Sequence, residues 1–232
     1  MERIWDQSYG TMVLRQIQAD QPRRWEETGA THLRVSLPSE ITHLLWMQEQ
    51  GFQFVDRMLT VTIPLQRKTK DWSQWIRFPI LLETNRKEEI LALAERNFPF
   101  DRRFQVEVGY SNEVAKPILA KWIEAIPAYY VCFHQEKVVG FLALQEEKEA
   151  NQAQIVLAAV EKRYQATGVA LSLYAKAIQV GMERGYRAIT GQISCWNTAV
   201  LNLYAYLGGV FSNPQDIYLK QRSRTRKEGE NE

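Results

Sequence analysis

Residues Ala153 to Lys220 alternate strand and helix signals with only short breaks, and few folds accommodate that alternation. Ala153–Val160 reads as a strand. A helix starts at Gly168 and runs to about Arg184, where Gly185 stops it. Tyr186–Ser194 reads as a second strand and Asn197–Leu207 as a second helix. Val210-Phe211 and Asp216–Lys220 are last strand pieces. A strand that returns to its sheet through a helix returns parallel. The preceding segment is different: Tyr129–His134 and Lys137–Gln145 are extended around a tight turn at Gln135-Glu136, which makes a hairpin. A helix from Ser111 to about Ala125 comes before it, with Ser111 as cap and Ile118, Leu119, Trp122 and Ile123 toward the core. Pro117 marks a late start or a bend in that helix, and Pro127 its end. The order is helix, three antiparallel strands, helix, parallel strand, helix, strand. It predicts an α/β domain, α+β in its antiparallel part, with a mixed central sheet flanked by helices.

The N-terminal part repeats this logic on a smaller scale. Leu33–Leu37 is a short strand. Pro38-Ser39-Glu40 opens a helix with Ser39 as its cap and Ile41, Leu44, Leu45 and Met47 on one side. Gly51 stops it, and Phe52–Pro64 is extended. Gln66–Gln74 reads as a loop, Ile76–Leu82 as a strand, and Arg86–Asn97 as a helix with Ile90, Leu91 and Leu93 inward. Phe98-Pro99-Phe100-Asp101 breaks that helix. The expected organisation is a small α/β domain over 1–100, a larger domain over 101–222 and a charged flexible tail over 223–232.

Several function classes drop out on composition. The chain has 232 residues, 45% hydrophobic and 24% charged, enough for a sizeable core. A net charge of +2 says nothing about nucleic acid, and the basic run Lys220–Lys227, followed at once by Glu228, Glu230 and Glu232, reads as a solvated tail. No apolar run approaches the ~20 residues of a membrane span. The start, Met1 to Asp6, reaches an acid too soon for a signal-peptide core. The expectation is a cytoplasmic protein without membrane or nucleic-acid partners. His32, His43 and His134 lie apart, with no second ligand at metal spacing, so no metal site is expected. Cys132 and Cys195 are expected to be reduced and buried.

The segment that carries chemistry lies between the strand ending at Val160 and the helix starting at Gly168. The first amides of a helix lack internal partners, and the helix dipole adds about half a positive charge there. That end suits phosphate. Gly168 lets the chain turn, Ala170 is small enough to admit a ligand, and Lys162, Arg163 and Gln165 add polar contacts. A glycine at a helix start is also a common plain turn, so Gly168 alone leaves both readings open. Neither a Walker pattern nor a dinucleotide pattern is present.

Two longer runs narrow the choice. Leu157 to Tyr174, with Gln165-Ala166-Thr167-Gly168-Val169-Ala170 at its centre, resembles the acetyl-CoA motif of the GCN5-related N-acetyltransferases. Ile193 to Gly208, with Asn197, Leu203-Tyr204 and Gly208, resembles that family's second segment, and the element order is the family's own. The resemblance covers Ser111 to about Lys220 and implies acetyl-CoA as cosubstrate. In it the pantetheine arm pairs with the strand backbone at Ala158 and Val160. Arg163 and the loop Gln165, Ala166, Thr167, Gly168, Val169 and Ala170 hold the pyrophosphate, and Asn197 holds the arm. A primary amine attacks the thioester directly in a ternary complex, and Tyr204 protonates the leaving thiolate. A phenol that stays protonated at neutral pH suits that step. Read without the resemblance, Tyr204 is equally a core aromatic beside Leu201, Leu203 and Leu207. Tyr206 points about 200° away on the helix. No general base is evident; Glu107 and His134 are conceivable.

The N-terminal residues also resemble, loosely, a two-domain subgroup, the dTDP-fucosamine acetyltransferases. The similar segments are Trp5-Asp6-Gln7-Ser8-Tyr9-Gly10, Gly51 to Asp56, and Phe100-Asp101-Arg102-Arg103-Phe104. The resemblance implies an amino sugar on a nucleotide as acceptor. Arg102 stands where that subgroup has serine, and Arg102 with Arg103 would suit a phosphorylated substrate. Two other functions remain: an acetyltransferase for a peptide, amino acid or other small amine, and a non-catalytic acyl-CoA-binding protein. A homodimer is compatible with the family, though no exposed apolar stripe requires one.

Overall fold

The computed structural model describes residues 2–6, 9–13, 32–65, 71–97 and 112–221. Its first elements are β1 (Glu2–Asp6), β2 (Tyr9–Val13), β3 (His32–Pro38), α1 (Ile41–Glu49) and β4 (Gln53–Pro64). A 3-10 turn at Ser73–Trp75 leads to β5 (Ile80–Glu83), α2 (Lys87–Asn97) and α3 (Asn112–Ala125). Next come β6 (Tyr129–His134), β7 (Lys137–Glu147), β8 (Gln152–Val160) and a 3-10 turn at Lys162–Tyr164. The last are α4 (Val169–Glu183), β9 (Ala188–Ser194), α5 (Thr198–Tyr206) and β10 (Val210–Gln221). The mixed α/β class and the element order expected for the second half are both found. β5 is shorter than the Ile76–Leu82 strand expected, and the two strand pieces near the C-terminus are one strand, β10. Among the described residues, no helix is long and apolar enough to cross a membrane.

Two compact units divide the chain: Met1–Arg57 with Pro214–Glu232, and Met58–Asn213. The boundary expected near residue 100 falls inside the second unit, because β4, β5 and α2 pack with that unit's core. Arg102, Arg103, Glu107, Ser111 and the tail over 223–232 lie outside the described residues or their side chains.

In the first unit β2 runs parallel to β3, and β3 pairs antiparallel with β10 from Pro38↔Gln215 to His32↔Gln221. Alternate residues Leu33, Val35 and Leu37 of β3 join Met47, Phe52 and Tyr218 in its core. Ser39 does not cap α1. Glu40 is the N-cap residue, without a side-chain bond, and the Ser39 hydroxyl donates instead to Asp216 Oδ2 at 3.2 Å. A buried carboxylate is a stronger acceptor need than a frayed helix end. Arg57 completes that site, with Nε donating to Asp216 Oδ1 at 2.7 Å and a second guanidinium nitrogen to Oδ2 at 3.1 Å. The inward face of α1 also differs from the apolar side expected: His43 and Met47 are buried, whereas Ile41 and Leu45 are exposed.

The second unit has the strand order β4-β9-β8-β7-β6-β5, with β8 and β9 parallel and the other pairs antiparallel. Gln135 and Glu136 join β6 to β7 with positive φ of 48° and 64°, the tight-turn geometry that the strand twist favours. The sheet has a core on each face. One holds Ile90 and Leu93 of α2, Leu119 and Ile123 of α3, and Phe141. The other holds Val169, Leu173 and Tyr174 of α4 with Val61, Ile155, Tyr204 and Leu207. Cys132 is buried and its thiol is pushed up to about 11 by burial; Cys195 is only half-buried.

Candidate active site

The parallel strands β8 and β9 pair from Gln152↔Ala188 to Ile155↔Gly191, where the register ends. Past that point the strands follow different partners. β8 continues along β7 from Leu157↔Ala143 to Val160↔Gly140, and β9 continues along β4 to Ser194↔Met58. The register against β7 shifts between Ala143 and Leu144, which leaves Val156 as an extra residue on β8. An extra residue bends its strand and sharpens the local twist. The side chains record the change of phase: Ile155 lies with one core, Val156 and Leu157 with the other, and Ala158 with the first again. The result is a fork. Its apex is at Ile155 and Gly191, and its mouth lies at the carboxyl ends of both strands. Val156–Val160 therefore shows β9 a backbone edge that β9 does not pair. Backbone donors and acceptors need partners, so such an edge accepts an added extended chain.

The loop at the mouth is held from several sides. Glu161 N–H donates to Val139 O at 2.9 Å, and Arg96 reaches the Glu161 carboxylate at 2.7 Å. The Gln165 side-chain amide donates to Val160 O at 3.3 Å and to Asn97 Oδ1 at 3.4 Å, and the Thr167 hydroxyl to Tyr164 O at 2.7 Å. The Arg163 guanidinium lies 4.9 Å from the centre of the Tyr164 ring. Ala166 takes φ 63°, and Gly168, the N-cap residue, takes φ 96° with no side chain to accept from the first-turn amides. Val169 packs inward, so close to Gly140 that a Cβ there would sit 2.9 Å from Val169 Cγ1. Ser172 ties α4 to the segment before β5: its hydroxyl donates to Trp75 O at 3.0 Å and accepts from Arg77 N–H at 3.1 Å. The helix start is thus fixed in place with its amides turned to the mouth. These features fit a pyrophosphate: uncapped donors, a glycine at a φ of 96° that side chains rarely adopt, and the positive end of a fifteen-residue helix.

Tyr204 lies at the apex. Its side chain is 2% exposed, and its hydroxyl approaches β9 so closely that a Cβ on Gly191 would stand 2.5 Å from it. Its ring meets Tyr174 of α4 edge-on, with centroids 5.1 Å apart and planes at 80°. Burial, and then the neighbouring Tyr174, push the Tyr204 phenol well above its ordinary value. Burial pushes Tyr174 up to about 12, against a hydrogen bond from Tyr204 that lowers it. Both phenols therefore stay protonated at neutral pH. Tyr206 faces the other way, exposed and edge-on to Trp75 at 5.5 Å, as the helix angle predicts.

The fork gathers Ala158 and Val160 on its free edge, Arg163 and Gln165 to Ala170 at its mouth, and Tyr204 at its apex. Asn197 stands at the end of β9, where its Oδ1 accepts from Val200 N–H at 3.2 Å and caps α5. That oxygen is engaged within the helix, and the amide nitrogen is the side chain's free donor type. The His134 ring lies 5.4 Å from that of Tyr164, tilted by 53°. Gly191 and Tyr174 escaped the sequence reading. A glycine inside the strand pattern Ala188–Ser194 is a signal of close backbone approach and would have found the first. Nothing in the sequence distinguishes Tyr174 from other core aromatics of an amphipathic helix. Among the described residues, no group of three His, Cys, Asp or Glu could hold a metal ion.

The sequence matches the model of the acetyltransferase (GNAT) family over residues 88–208, just over half of the chain. No curated protein matches it. Among solved structures, the fold is similar to that of a conserved protein of unknown function from Staphylococcus epidermidis. The TM-score is 0.66 at 18% identity, covering 88% of this chain and 77% of that one. It is also similar to a GCN5-related N-acetyltransferase from Sphaerobacter thermophilus, with TM-score 0.58, 16% identity and coverage of 86% and 64%. A GNAT-family acetyltransferase from Colwellia psychrerythraea gives 0.52 at 9% identity, with 84% and 66% covered. These likenesses are of fold.

Proposed function

The chain belongs to the acetyltransferase (GNAT) family, and on that premise we propose that it transfers an acetyl group from acetyl-CoA to a primary amine by direct attack in a ternary complex. The observation that carries this reading is the fork: an unpaired β8 edge leads from an uncapped helix start at Gly168 to a buried phenol at Gly191. Acetyl-CoA supplies the acetyl thioester. The amides from Gln165 to Ala170 would hold its pyrophosphate, with Arg163 and the Asn197 amide as further contacts. The backbone of Ala158 and Val160 would pair with the pantetheine arm. That pairing would bring the thioester toward the apex, where the Tyr204 hydroxyl would give its proton to the departing sulfur. Burial keeps the phenol in the protonated form from which a donor to a thiolate must start.

The acceptor is proposed only by class. A nucleotide-linked amino sugar rests on the loose N-terminal resemblance and on Arg102 and Arg103. A peptide or other small amine is the second reading. Both use the same transfer site.

Thermal unfolding with acetyl-CoA, CoA and ATP tests the cosubstrate. A hundredfold excess over the dissociation constant adds about 2.7 kcal/mol. An unmoved Tm at millimolar acetyl-CoA would refute the reading. Tyr204→Phe should then lower turnover on the best amine of a panel while leaving acetyl-CoA binding in place. Equal turnover would remove Tyr204 as the acid.

A further inference from the structure

We propose that the last turn of α2 is the clasp of the pyrophosphate loop: Arg96 and Asn97 hold the two ends of the stretch 161–165 and so set how tightly the nucleotide half of the cosubstrate binds. Both are positioning residues, which act through Glu161 and Gln165. The consequence for turnover rests on the acetyl-transfer reading, and the clasp itself on contacts within the second unit.

Two neighbouring side chains of one helix reach the same loop. The Arg96 guanidinium meets the Glu161 carboxylate at 2.7 Å. Asn97 donates its amide nitrogen to Leu93 O of its own helix at 2.9 Å, which leaves its Oδ1 to accept from elsewhere. The Gln165 amide has two N–H donors, and they serve that Oδ1 at 3.4 Å and Val160 O at 3.3 Å. Val160 O matters for the arm. Glu161 N–H donates to Val139 O, which turns the Glu161 backbone toward β7. Backbone direction alternates along a strand, so the N–H and C=O of Val160 point the other way, into the fork. Gln165 thus touches the last backbone group of the free β8 edge, where that edge becomes the loop. A carbonyl has two lone pairs, so Val160 O can still accept from an added chain.

The clasp holds a strained turn. Gln165 takes φ -65° and ψ 143°, Ala166 takes φ 63°, and Thr167 N–H donates to Tyr164 O at 3.3 Å. These are the marks of a type II turn over residues 164–167, with alanine at the position that favours glycine. A residue with a Cβ is strained there, and such a conformation persists only where its surroundings fix it. Gln165 is the first central residue of that turn, and Asn97 and Val160 fix its side chain. Freed from the clasp, the turn relaxes toward conformations that alanine prefers, and the amides leading into α4 lose their common aim.

The first test needs no ligand. Amide hydrogen exchange is followed by NMR in the full chain at the bonded amides of Tyr164, Gln165 and Thr167. Asn97→Ala should speed their exchange about threefold or more, and Arg96→Ala with Asn97→Ala further, while β6 and β7 exchange as in wild type. Unchanged exchange overturns the clasp. The second test is turnover on the best amine of a panel with two donors, acetyl-CoA and S-acetyl-pantetheine, which lacks the pyrophosphate. Asn97→Ala should raise KM for acetyl-CoA about fivefold at unchanged kcat, the size of one hydrogen bond, and leave kcat/KM for S-acetyl-pantetheine as it was. Equal losses on both donors, or none on either, refute the proposal. A charge exchange supplies the rescue: Arg96→Glu should raise KM for acetyl-CoA, and Glu161→Arg added to it should restore most of the loss. Losses that simply add would refute the pairing. Failure of acetyl-CoA to raise Tm would sink the transfer reading, and the exchange rates would still decide the clasp.

Discussion

Gly191→Ala adds a single methyl group where the fork begins. The backbone at Gly191 is not in the left-handed region, so alanine can adopt it, and alanine in a strand is worth about 0.5–1 kcal/mol over glycine. Against that gain stands contact. The new Cβ would lie 2.5 Å from the Tyr204 oxygen, 3.4 Å from its Cζ and 3.5 Å from Val61 Cγ1. The last two are tight or ordinary, and the first is impossible without movement. Tyr204 has little room to move, with Tyr174 across its ring and Gly209 against its carbonyl. Overpacking of this kind costs about 1–3 kcal/mol, which lowers Tm by roughly 2–12 °C for a chain of this size. Removing the hydroxyl removes the worst contact, so Tyr204→Phe should restore much of the stability lost. The assay is a double-mutant cycle in Tm over wild type, the two single variants and the pair, with a favourable coupling of about 1 kcal/mol or more. A Gly191→Ala protein as stable as wild type, or a pair whose losses simply add, would refute the placement of Tyr204 at Gly191.

The other predictions draw on other parts of the molecule. Gly168→Ala has space, its nearest neighbour being Phe78 at 3.9 Å, but forces a side chain onto φ 96°. About 1–2 kcal/mol should be lost, with weaker acetyl-CoA binding by calorimetry as the first-turn amides re-aim. Asp216→Asn keeps the shape of the buried acceptor and loses its charge toward Arg57, so thermal unfolding should show a loss of about 1.5–3 kcal/mol. Alkali should destabilise the fold in a defined window. Tyr174 rises from about 10 unfolded to about 12 folded, so the unfolded chain loses its proton first. Its contribution is complete below pH 10 and is lost as pH climbs toward 12, up to roughly 2–3 kcal/mol. Tm measured from pH 8 upward should fall above pH 10, less steeply in Tyr174→Phe; a flat profile would refute it.

Local chemistry wrote the order of elements into the sequence. Gly185 closes α4 with φ 73°, and Gln135-Glu136 turns the hairpin. The Gly168 loop was legible because a glycine with no side chain to cap its helix is a local fact. Helix angle alone showed that Tyr204 and Tyr206 face opposite ways, and the family resemblance chose between them. What stayed hidden depends on partners far along the chain. Ser39 looked like a cap because the competing acceptor, Asp216, lies 177 residues away. The fork stayed hidden because Ile155-Val156-Leu157 is apolar throughout, and such a run gives no sign of where a strand changes phase. The division into units was equally hidden, since it joins both ends of the chain.

That joining sets an order in time. The ribosome makes the whole of the second unit before Gln215–Gln221, the part of β10 that pairs with β3. Until β10 emerges, β3 presents an unpaired edge with Leu33, Val35 and Leu37 beside it, and Arg57 has no Asp216 to meet. An edge of that kind recruits other chains. A nascent chain stalled before residue 214 should therefore be a client for chaperones and proteases, although its second unit has already been synthesised. Pairing of the late strand β10 with the early strand β3 is therefore the step that closes the first unit.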